Sequence, residues 1–218
     1  MLRHLELPVF IGKTNGAEPI LVQALSPSQV YFSVYELWPR PPAHWEQNRL
    51  TWLRERITAT REVSNEVHFL GAPLVERDGV SEARYLSWLT KIRDGHPGRD
   101  FVYVLHPSES ESFAQRISMN LDMITRRYDL PYEVELCLMR SRPSVIASWF
   151  CSALDNLAAA GIPDLLLQAY RLPPVKLPRR KQRQAVIFEA AEQFYRRHEG
   201  GGRVMVCPIP EADRIREA

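Results

Sequence analysis

From Glu66 onward, short apolar runs alternate with amphipathic stripes, and this alternation restricts the fold more than any other property of the chain. Phe101-Val102-Tyr103-Val104-Leu105 is β-branched, aromatic and too short for a helix, so it reads as a buried strand. It stops at His106-Pro107, where the proline removes a ladder donor and pushes the histidine toward an extended backbone. Phe113, Ile117, Leu121 and Ile124 then recur at helical spacing as one apolar stripe. On either side the pattern repeats. A strand from Glu66 ends at Gly71, and Ser81 caps a helix bearing Tyr85, Leu86, Leu89 and Ile92. Pro131 introduces a strand over 132–138 that carries Glu133 and Glu135. The run from Ser144 to Leu154 is a strand turning into a helix; Gly161-Ile162-Pro163 ends that element, and Leu165 to Tyr170 is a further strand. Such repetition predicts a Rossmann-like, doubly wound α/β fold, with a largely parallel sheet and helices on both faces.

The first part of the chain is less regular. Pro8 to Gly12 and Gln29 to Leu37 read as strands, prolines at 39, 41 and 42 break the chain, and Trp45 to Thr60 reads as a helix. Residues 1–62 are therefore expected to form an irregular leader packed on a main domain of 63–218. Near the end, an amphipathic helix with Val186, Ile187, Ala190, Phe194 and Tyr195 runs to Gly200, and Arg203 to Cys207 is a last strand. The net charge of +2 gives no reason to expect nucleic acid as a partner. Cys137, Cys151 and Cys207 lack metal-ligand spacing and read as buried free thiols, so no metal is expected. No apolar run reaches the ~20 residues of a membrane span and no signal peptide is apparent, which makes a cytoplasmic location the default expectation.

In open α/β sheets, ligands sit beyond the carboxyl ends of the strands, where helix N-termini direct free N–H groups at anions. His106 and the hydroxyls of Ser148 and Ser152 are all assigned to such ends, which predicts a phosphate site. A loop histidine and a helix-capping serine are the plain alternatives. Val104-Leu105-His106-Pro107 resembles the His-Pro motif of bacterial GT-B sialyltransferases, including the capsular polysialyltransferase group. Ala147 to Leu154 resembles that group's serine motif, and Val67 to Glu76 resembles the strand and glycine turn that opens its donor-binding domain. Together the likeness covers roughly Tyr31 to Pro174 in the matching order.

The resemblance implies the donor-binding half of a glycosyltransferase, inverting and metal-independent, that takes CMP-sialic acid for capsule or lipooligosaccharide synthesis. It implies no cofactor beyond that donor. His106 would stabilise charge on the departing phosphate, with Pro107 fixing its turn; Ser148, Cys151 and Ser152 would meet the phosphate, and Glu135 would grip the ribose. Glu133 competes with Glu135, since both lie on one face of the expected strand. Gly71 would let the backbone approach the donor, although a turn glycine is the simpler reading. Cys151 stands where the motif has a second hydroxyl, and a thiol is a poor donor. Glu109 and Glu111 are expected to face solvent on the first turn of the following helix. Glu76-Arg77-Asp78-Gly79 looks like an acidic motif but reads as a polar turn.

The first sixty residues leave no room for the expected acceptor-binding domain, so a non-catalytic nucleotide- or partner-binding remnant of the same fold is the rival reading. A chain that begins partway through a longer protein would account for the same gap. The basic stretch Lys176 to Arg183 and its helix, 176–198, offer a surface for an anionic membrane's inner face or a glycan acceptor, and a solvated face is the plainer reading. An open cleft invites self-association into a homo-oligomer.

Overall fold

A computed structural model describes residues 30–35, 44–60, 62–77, 79–173, 182–200 and 202–210. The chain divides into two compact units, 1–48 and 49–218. In the first, β1 (Val30–Ser33) pairs in parallel with β2 (His44–Gln47), and the Trp45 indole donates to the Ser33 carbonyl at 3.3 Å.

The second unit is a six-stranded, all-parallel sheet flanked by helices. Strands and helices alternate along it: α1 (Thr51–Ala59), β3 (Glu62–Leu70), α2 (Glu82–Asp94), β4 (Asp100–Val104), α3 (Glu111–Leu121) and β5 (Ile124–Arg126) come first. Then follow α4 (Tyr132–Leu138), β6 (Ser141–Ser148), α5 (Ser152–Ala160), β7 (Leu166–Tyr170), α6 (Gln182–His198) and β8 (Val204–Cys207). The strands lie in the order β5-β4-β3-β6-β7-β8. Numbered from β3, this is the third-second-first-fourth-fifth-sixth order of a doubly wound sheet, which reverses direction between β3 and β6.

Period-two alternation on β3 sends Phe69 and His68 to opposite faces. Phe69 stacks on Tyr103 and meets the Trp149 ring edge-on, and Tyr85 of α2 closes over them. On the other face His68 meets Tyr132 of α4. His68 is wholly buried and fully bonded. Its Nε2 lies 2.9 Å from the Glu66 carboxylate, which can only accept, so that nitrogen carries the proton and Nδ1 accepts the Tyr132 hydroxyl at 2.8 Å. Arg126 reaches across from β5 to the same carboxylate at 2.6 Å.

Three expected elements differ. Ile124, read with Phe113, Ile117 and Leu121 as one helical stripe, instead opens β5, because α3 ends at Leu121 with Asp122 in the left-handed conformation. Residues 132–138 form a helix, not a strand, with Tyr132 and Leu136 buried one turn apart. Pro131 occupies the N-cap of this helix, where its missing N–H costs nothing. The helix expected from Trp45 begins only at Thr51, because Leu50 adopts a left-handed conformation and His44–Gln47 is extended. Ser81 takes the N-cap position of α2, but its side chain makes no capping bond. The strand expected over 8–12, the prolines at 39–42, the side chains of the basic stretch 176–183 and the residues after Pro210 lie outside the description. Among the described residues no helix is long and apolar enough to cross a membrane.

Candidate functional site

Where the strand order reverses, the carboxyl ends of β3, β4 and β6 open into a cleft of about 1020 Å³. Doubly wound folds keep their ligands at this place, because the helices after neighbouring strands diverge there. Gly71 follows β3, His106 and Pro107 follow β4, and Cys151 and Ser152 open α5; all five line the cleft. Arg77 and Arg127 supply positive charge to the wall, and Asp129 and Glu133 supply negative charge. Leu130, Phe150, Val186 and Ile187 make the rest partly apolar.

His106 is held by its own turn. The Ser108 N–H donates to its Nδ1 at 3.0 Å, so the neutral ring carries its proton on Nε2. Burial, and after it the neighbouring Arg77, hold the imidazole below its ordinary range, while Glu76 pulls the other way. At neutral pH the ring is therefore an uncharged donor, and an arriving anion would raise its affinity for a second proton.

Beneath this turn lies a group that the sequence reading assigned to solvent. Glu109 is only 3% exposed. One carboxylate oxygen accepts the Tyr103 hydroxyl at 2.6 Å, and the other accepts the His106 backbone N–H at 2.7 Å. The Tyr85 and Tyr103 hydroxyls are 2.7 Å apart, and the Trp149 indole donates to Tyr85 at 3.0 Å. An indole can only donate and an ionised carboxylate can only accept, so with Glu109 ionised the chain runs one way, from Trp149 through both tyrosines to Glu109. Burial pushes the Glu109 carboxyl up to about 7, against the bonds from Tyr103 and His106 that favour its charged form. Glu111 behaves as expected: it is exposed and pairs with Arg127 at 2.5 Å.

This network changes the role of Gly71. A Cβ there would collide with the Glu109 carboxylate and the Tyr103 hydroxyl. The residue must be glycine to make room for protein atoms from below, whatever approaches from the cleft. Ser148 is also reassigned. It is the last residue of β6, is wholly buried, and donates to the Leu70 carbonyl at 2.8 Å. Its hydroxyl ties two strands together and does not line the cleft.

Glu133 and Glu135 sit on a helix, so the shared strand face disappears. Glu133 lines the cleft, where Asn156 donates to it; Glu135 lies outside the lining and accepts the Leu130 N–H at 3.0 Å. Cys151 occupies the N-cap of α5, and burial pushes its thiol up to about 11, which leaves it neutral. Among the described residues no cluster could hold a metal ion. Compared with known proteins, the sequence matches no protein-family model and no curated relative.

Proposed function

We propose that this cleft binds a cytidine nucleotide sugar, CMP-sialic acid, as the donor-binding part of a GT-B sialyltransferase-like glycosyltransferase. The observation that carries the reading is the convergence of His106, protonated on Nε2, and the N-terminus of α5 on one cleft at the point of strand reversal. Backbone N–H groups at a helix end and a fixed imidazole N–H suit a phosphate. In transfer, the bond between the sugar's anomeric carbon and the phosphate oxygen breaks, the acceptor hydroxyl attacks that carbon, and its proton leaves to a base. His106 and the α5 amides would take the charge that develops on the departing CMP.

The neutral Cys151 thiol at the N-cap favours a second reading, a nucleotide-binding domain without turnover, because it is a weak donor where the motif has a hydroxyl. Calorimetric titration with CMP tests what both share. Wild type should bind. His106→Ala should lose roughly tenfold to a hundredfold in affinity, equivalent to about 1.5–3 kcal/mol for a charge-assisted bond. Met119→Ala on the exposed far end of α3 should bind as wild type does. No binding by wild type at millimolar CMP would defeat the nucleotide reading. Release of CMP from CMP-sialic acid with a sugar acceptor separates the enzyme from the binding domain.

A further inference from the structure

The carboxylate of Glu109 does not touch the cleft, yet it is bonded to the backbone of His106, which lines it. A buried charge is a costly way to hold a turn together unless its two acceptors are both needed. Here they are. One oxygen terminates the one-way chain Trp149–Tyr85–Tyr103, and the other takes the His106 amide. The Glu109 N–H returns to the His106 carbonyl at 2.9 Å, closing the turn from its other end. Within that turn the Ser108 N–H reaches His106 Nδ1. Arg127, the residue after β5, braces the same segment by donating to the Glu109 carbonyl at 2.6 Å.

We infer that Glu109 is a positioning residue for His106: by holding the His106 amide it fixes the turn in which Ser108 occupies Nδ1, leaving the proton on Nε2 and available to the cleft. The inference rests on the reading that His106 donates to a ligand there. A glutamine in place of Glu109 has one acceptor and one donor, so it cannot serve both the Tyr103 hydroxyl and the His106 amide. The fold could survive that loss, but the geometry of the turn would not be kept.

The test uses the full chain labelled with nitrogen-15, the His106 ring signals being assigned through His106→Gln. Wild type should show His106 as a single tautomer with the proton on Nε2. Glu109→Gln should show a mixture of tautomers, and its CMP affinity should fall roughly tenfold, the effect of misplacing one hydrogen bond. A folded Glu109→Gln protein with the wild-type tautomer and wild-type CMP affinity would overturn the inference. Should the variant not fold, amide hydrogen exchange in wild type decides: the His106 N–H should exchange far more slowly than the amide of exposed Gly98, and equal rates would overturn the proposal. If wild type binds no CMP, the nucleotide reading fails while the tautomer comparison still judges Glu109.

Discussion

The Glu109 carboxylate lies against the amide of His106 at 2.7 Å, so the most deeply buried acid of the site and its candidate phosphate donor share one turn. Burial raises the folded-state value of this acid from 4.5 to about 7. Between those values the folded chain holds a proton that the unfolded chain has released. The stability this provides is complete below about pH 4.5 and is lost as pH rises toward 7, amounting to about 3 kcal/mol at 1.36 kcal/mol per unit. Relative to Glu109→Gln, wild type should lose that much across the window in urea unfolding followed at successive pH values. A constant difference between the two proteins would contradict it.

The histidines act in the opposite sense. His68, His96 and His106 are all held below the ordinary imidazole range, in each case first by burial. The unfolded chain takes up protons near 6.5 before the folded chain does, so their contribution is present above that value and is lost as pH falls through the lowered ones. In wild type this loss is partly offset by the gain from Glu109. Glu109→Gln should therefore be more acid-sensitive than wild type below about pH 6.5, seen as a steeper fall in Tm.

Gly71→Ala places a methyl group against the Glu109 carboxylate and the Tyr103 hydroxyl. Neither can retreat, because each is fixed by a short bond and buried. Overpacking of this kind costs about 1–3 kcal/mol, which denaturant unfolding would register. Gly98→Ala offers a contrast: its Cβ meets nothing, so any cost there comes from its positive φ of 71° alone.

The two serines should separate cleanly. Ser148→Ala removes a buried donor to the Leu70 carbonyl and should cost about 1 kcal/mol of stability with CMP affinity unchanged. Ser152→Ala, on the exposed first turn of α5 in the cleft wall, should leave stability alone and weaken CMP roughly tenfold. Paired unfolding and titration measurements check both; the reverse pattern would exchange their roles.

Most of the sheet was legible because its strands are apolar on both faces. Phe101 to Val104 and Val145 to Ala147 are continuous runs too short for a helix, and Val67 to Leu70 is another broken only by His68, as buried strands give. The segment from Tyr132 misled for a definite reason. Tyr-Glu-Val-Glu-Leu alternates at period two, yet Tyr132 and Leu136 also stand four apart, and burial on the His68 face selected the helix. Glu109 was hidden by its neighbours, since Ser108 to Ser112 looks like a solvated acidic turn. The available signal lay three residues before His106, in Tyr103: a hydroxyl buried in mid-strand needs a partner, and Glu109 is the first acid after that strand. Ser148 could not be told from a ligand contact because the sequence does not show where β6 ends.

The central place of β3 also governs how the polypeptide acquires its shape during synthesis. β3 can pair with β4 soon after both leave the ribosome, but its other neighbour is much later: 78 positions separate Leu70 from Ser148. Until β6 emerges, the largely apolar run Val67–Leu70 stands at an open sheet edge, with unpaired amides and carbonyls facing outward. Parallel pairing at that separation is slow, since loop closure precedes any reward from contact. The nascent protein thus passes through a half-sheet whose sticky margin is the strand that later becomes its interior, and chaperone demand should be greatest between the emergence of β4 and that of β6.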